Sequence, residues 1–215
     1  MAENLENNSL AWWEDYFGGK WEANHGREQT RHFMERMIGA FSEPVRRSLM
    51  SQPLSILDWG CAFGDGADVL ASSFPQATVA GYDFSARAIA AAGRAYPQLR
   101  FVLAGRDPLE APYDAVFCSN CLEHFADPLP VATEQIRLAR LCYALLVPYK
   151  EIVRCEYHRV TLTDESFPDV IESFRKVYQT RVAVEPQHWP GEQLLVMYGS
   201  ARFIEMVNGL AGDSH

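Results

Sequence analysis

Ile56-Leu57-Asp58-Trp59-Gly60-Cys61-Ala62-Phe63-Gly64-Asp65-Gly66 sets an apolar run directly before a turn of small residues. The run reads as the end of a short buried strand, and Gly66 to Phe74 reads as a helix. Small side chains at 60, 62, 64 and 66 let the backbone turn tightly and approach a ligand closely. The amides that open the helix then face that ligand. A dinucleotide-binding turn needs G-x-G-x-x-G, and counted from Gly60 its third glycine falls on Asp65. An acid there repels a pyrophosphate, so the turn suits a positively charged ligand without phosphate.

Working outward, apolar runs at Ser55 to Cys61, Thr78 to Phe84, Arg100 to Ala104, Tyr113 to Asn120 and Cys142 to Pro148 read as buried strands. Ser85 to Tyr96 and Leu129 to Ala139 read as helices between them, the first with Ser85 as its N-cap. Thr163 to Phe174 also reads as a helix, opened by Thr163-Asp164-Glu165-Ser166. Lys176 to Val184 and Gln193 to Ser200 then read as two strands with no helix between, which pair antiparallel or lie apart. Alternation of strand and helix predicts a doubly wound α/β sheet. Asp83 closes the second strand, where an ionised carboxylate accepts from both hydroxyls of a ribose.

The segments ILDWGCAFGDG, GYDFS and YDAVFCSNCLEHFADP, in that order across residues 54 to 148, resemble the class I S-adenosylmethionine-dependent methyltransferases. The resemblance implies a mostly parallel, seven-stranded Rossmann-like sheet with an antiparallel C-terminal strand and an N-terminal helical cover. It implies S-adenosyl-L-methionine as cofactor, with Asp58, Gly60 and Ala62 along its methionine side; many members have glycine where Ala62 stands. Asp83 is expected on the ribose and Phe84 against the adenine, with Asp107 as the candidate acid for the adenine amino group. Asn120 and Cys121 are expected beside the transferred methyl, and Leu122 near the adenine.

Residues 1–50 are expected to form the helical cap, 51–205 the main domain, and 206–215 a flexible tail. The aromatic stretch from Tyr16 to Trp21 and the following Arg27, Gln29 and Thr30 read as a cover over the ligand. Arg27 suits the cofactor carboxylate by a bidentate pair, with Gln29 and Thr30 adding hydrogen bonds. Trp12, Trp13 and Phe33 read as packing.

Transfer to a hydroxyl requires loss of its proton, and hence a nearby base. His124 and His158 are the candidates, with His25 more remote. His124 also suits a structural role, and His158 a surface loop. O-methylation of a small hydroxylated acceptor, with a sugar or glycan unit in view, is the expected activity. N-methylation of a small amine, or a cofactor-binding partner subunit without turnover, are the alternatives.

Composition limits the rest. The chain has 215 residues, 48% hydrophobic and 22% charged, which suits one globular domain. A net charge of −9 disfavours nucleic acid. No apolar run reaches the roughly 18 residues of a membrane span, and the acidic start is unlike a secretory signal, so a cytoplasmic protein is expected. The five cysteines show no zinc spacing and read as free thiols, and no metal is expected.

Overall fold

The computed structural model describes residues 6–212. Residues 1–5 of the expected cap and 213–215 of the expected tail lie outside the described residues. The chain opens with α1 (Leu10–Asp15), a π-helical turn at Tyr16–Lys20, α2 (Trp21–Ala23), α3 (Gly26–Gly39) and α4 (Glu43–Met50). The alternating core follows as β1 (Ser55–Trp59), α5 (Asp65–Ser73), β2 (Thr78–Asp83), α6 (Ala86–Ala95), β3 (Arg100–Leu103), β4 (Tyr113–Ser119), α7 (Pro128–Arg137) and β5 (Ala139–Pro148). The tail contributes β6 (Val170–Ile171), β7 (Phe174–Ala183), β8 (Glu192–Gly199) and α8 (Ala201–Gly212).

The strands form one sheet in the order β3-β2-β1-β4-β5-β8-β7-β6. From β3 to β5 every pairing is parallel, and β8 runs antiparallel between β5 and β7. The expected seven-stranded pattern is present, and the eighth strand is a two-residue addition at the edge. Period-two alternation sends neighbouring side chains to opposite faces. Ile56 joins Met34, Met37, Leu49 and Phe203 on one side, and Leu57 joins Val116, Ile136, Phe167 and Tyr198 on the other. Residues of α3 and α4 are therefore part of the main core, and the cover proper is the stretch before α3.

Two expectations fail here. Thr163 to Phe174 is not a helix: it runs through turns into β6 and β7. Phe167, Ile171 and Phe174 have helical spacing, yet all three are buried from a path of turns and bends that contains Pro168. Tyr198 Oη donates to the Pro168 carbonyl at 2.6 Å and fixes that path. The stretch from 206 to 212 is the continuation of α8 rather than a flexible tail, because Phe203 anchors the helix in the core with no exposed surface. No helix of the described residues is long and apolar enough to cross a membrane.

Truncating that anchor tests the packing of α8. Phe203→Ala is expected to cost about 3–4 kcal/mol of unfolding free energy, measured by urea denaturation. A loss below about 1 kcal/mol would mean that α8 is not held by the core.

Candidate active site

The sheet reverses its winding between β1 and β4, and open α/β sheets bind ligands at the carboxyl ends of the strands at such a point. A cavity of about 520 Å³ opens there. Gly60, with φ at 77°, forms its inner turn, and a Cβ at that position would lie 2.4 Å from Cys121 Sγ. Only glycine lets the ends of β1 and β4 approach this closely. Ala62 takes a left-handed φ of 45° in the same turn, a conformation that L-residues rarely adopt.

Asp83 shapes the adjoining wall. Its carboxylate accepts Ala62 N at 3.0 Å and Ser85 N at 2.8 Å, tying the small-residue turn to the start of α6. Burial pushes its pKa up to about 6, against the lowering effect of these backbone donors. Ser85 caps α6 by accepting from Ala88 N, and its hydroxyl donates to Glu14 of α1 at 2.8 Å. The cover is thereby docked on the same corner.

Of the residues expected at a ligand, Gln29, Thr30, Gly60, Ala62, Asp83, Phe84, Asn120, Cys121, His124 and His158 line the cavity. Gln29 and Thr30 already donate to protein carbonyls, of His188 at 2.7 Å and Gly26 at 2.8 Å.

Five candidates do not line the cavity. Arg27 forms a bidentate pair with Asp65, with Nε 3.0 Å from Oδ2 and Nη2 3.0 Å from Oδ1. Its guanidinium is therefore committed to a carboxylate within the protein. Asp65, also bonded to Tyr96 Oη, is a buried carboxylate paired with that guanidinium. Asp58 is buried beside the start of α5, and burial together with neighbouring Asp83 pushes its pKa up to about 7. Asp107 turns back to accept Leu103 N at 3.0 Å and pairs with Arg106, leaving Ala104 at the wall. Leu122 is fully buried under the loop. His25 is exposed in a left-handed turn before α3 and does not line the cavity.

The cover contributes more than packing. Trp13, Tyr16, Phe17 and Trp21 line the cavity as well as contacting one another, and Asn8 reaches across it. Asn8 Nδ2 donates to the carbonyls of Tyr157 at 2.7 Å and His124 at 3.2 Å. Only the density of aromatics before the first strand signalled this in the sequence.

At the far wall, the loops after β4 and β5 meet. His158 Nδ1–H donates to Glu151 at 2.8 Å, with both side chains buried, and its ring stacks on Trp189 at 5.7 Å. His124 Nδ1–H donates to the Tyr157 carbonyl at 3.3 Å, and burial with the nearby His158 pushes its pKa down to about 3. It is therefore a neutral imidazole. Glu123 is buried with neither carboxylate oxygen bonded, and burial pushes its pKa up to about 8. Glu151 and Glu123 escaped the sequence reading because nothing local marks their approach to His158. The five cysteines are free thiols.

Comparison with known proteins places this geometry. Residues 57–144 match the family model of a methyltransferase domain. A trans-aconitate 2-methyltransferase of Deinococcus radiodurans is 37% identical over 73 residues, covering 34% of this chain and 28% of that one. The enzyme of the same name from Azoarcus sp. is 26% identical over 115 residues, 53% of this chain and 46% of its own. The chain thus aligns with less than half the length of these curated relatives. Among solved structures, a chain of the Haloferax volcanii complex between the Trm112 methyltransferase activator and a methyltransferase superposes with a TM-score of 0.67 at 14% identity, covering 92% and 99%. The plantazolicin methyltransferase BpumL with a pentazolic analogue and SAH gives 0.63 at 14% identity, covering 89% and 94%. The [4+2]-cyclase SpnF has the same fold, with a TM-score of 0.57 at 14% identity, covering 73% and 78%. The glycine turn and Asp83 fall within the stretch that matches a methyltransferase domain, and the sheet order is that of a Rossmann-like methyltransferase fold.

Proposed function

We propose that this chain O-methylates a small hydroxylated acceptor, with a sugar or glycan unit as the leading class. The observation that carries the reading is the meeting of Glu123, His124 and His158 on one wall of the cavity, beside Asn120 and Cys121. An amine acceptor attacks with a free lone pair, whereas a hydroxyl sheds a proton as its new bond forms. A wall rich in lone pairs suits the second case.

The cavity fits the cofactor by its own chemistry. Asp83 uses one lone pair of each oxygen on the protein and keeps others for the two ribose hydroxyls. Phe84 and Ala104 flank that corner for the adenine, and the apolar turn from Gly60 to Ala62 borders the methionine part. S-adenosylmethionine supplies an electrophilic methyl on a sulfonium. The protein aligns the acceptor with it and excludes water: Trp13, Tyr157 and Trp189 close the acceptor end. Glu151 holds the His158 ring so that Nε2 carries the lone pair through which the site acts on the hydroxyl.

Two measurements check this reading. Since Asp83 titrates near pH 6 and the diol needs its ionised form, cofactor affinity by calorimetry is expected to fall as pH drops below 6, by up to about tenfold per unit. Asp83→Asn should flatten that dependence and lose about 2 kcal/mol at neutral pH. An unchanged affinity in Asp83→Asn would remove Asp83 from the cofactor site. In a panel of hydroxylated acceptors, His158→Ala should lower turnover by about a hundredfold or more with cofactor affinity within twofold. Full turnover on an amine in that variant would favour N-methylation, and cofactor binding with no turnover on any acceptor would favour a non-catalytic subunit.

A further inference from the structure

We propose that Glu123, His124 and His158 form a binding site for a divalent first-row metal ion at the acceptor end of the cavity. One ligand atom from each of the three lies within 4.8 Å of the others. Glu123 is 1% exposed, lines the cavity, and has both carboxylate oxygens without a partner. An ion bound there would satisfy them. A buried carboxyl group with neither oxygen hydrogen-bonded is otherwise costly to keep. Tetrahedral coordination at about 2.1 Å needs ligand atoms about 3.4 Å apart, and no hydrogen bond holds the Glu123 carboxylate back from that adjustment.

The surroundings of the ligands point the same way. Glu151 accepts from His158 Nδ1, the carboxylate–histidine arrangement that orients a metal-binding imidazole and leaves Nε2 for the ion. The Tyr157 carbonyl accepts from His124 Nδ1 in the same manner. Arg159 N donates to the Glu123 carbonyl at 2.7 Å and keeps the two ligand-bearing loops in register. Two imidazoles and one carboxylate suit zinc, cobalt or manganese better than magnesium or calcium, and three protein ligands leave a position open.

The role of the ion rests on the O-methylation reading. The open position takes the acceptor hydroxyl, and coordination lowers its pKa. Its O–H bond breaks with the proton passing to solvent water. An oxygen lone pair forms the O–CH₃ bond while the S–CH₃ bond breaks, its electron pair staying on sulfur. The products are the methyl ether, S-adenosylhomocysteine and one proton.

The test begins with binding and needs no acceptor. Chelator-treated wild type is titrated with Co²⁺, followed by its visible d–d absorption, and with Zn²⁺ by calorimetry and by thermal shift. One saturable site per chain is expected, weakened at least tenfold in Glu123→Gln and in His158→Gln. His32→Gln, which alters the stacked His32–His188 pair elsewhere, should leave it unchanged. Circular dichroism checks that the variants fold. No saturable binding by wild type, or binding in both wall variants as tight as in wild type, overturns the site. Turnover on a hydroxyl that chelation leaves intact would also overturn it while sparing the O-methylation reading. A bound ion with no methylation of any hydroxylated acceptor would do the reverse.

Discussion

Asp83 receives one backbone N–H from the small-residue turn and one from the start of α6. Both donors belong to segments whose conformation would otherwise be open, since Ala62 stands at positive φ and the first turn of any helix has amides to satisfy. One buried carboxylate thus sets the shape of the turn, the entry angle of α6 and the acidic corner of the cavity. The neighbouring Asp58 carboxylate adds to the burial of negative charge at the end of β1 and β2, and both groups have raised pKa values. A corner so rich in acid is matched to a ligand with hydroxyl donors and a positive centre.

The cover completes the enclosure from the opposite side. Glu14 accepts from Ser85 beside Asp83, and Asn8 donates to the carbonyls of His124 and Tyr157 at the far wall. Between those two anchors the aromatic side chains of α1 and the π-helical turn form the roof. The enclosure of the cavity on this side therefore comes from one short stretch. The comparison with SpnF, a cyclase of the same fold, shows why the reaction has to be argued from that enclosure and its wall rather than from the sheet.

What could be read in the sequence was what lies close together along it. The strand, glycine turn and Asp83 form one continuous unit, and its pattern survives in the fold almost residue for residue. Arg27 pairs with Asp65 of the turn itself, and a salt bridge between distant segments leaves no periodic trace. Asp107 is placed by a tight turn after β3 that folds its carboxylate back on Leu103 N, a geometry with no signature in the spacing. The segment from 163 to 174 carried apolar residues at helical spacing, yet Pro168 and the pull of the sheet edge won. Glu123 had a visible neighbour in His124, but the approach of His158 and Glu151 depends on how the loops after β4 and β5 cross, which spacing alone does not encode.

Asn8 holds the cover to the far wall through main-chain oxygens. Every residue offers such an oxygen, so the fastening does not depend on which side chains stand at 124 and 157. Those positions are free to vary in character while the roof stays seated, and selection for a new acceptor would not have to rebuild the closure each time. The enclosure and the chemistry of its wall can thus evolve on separate accounts.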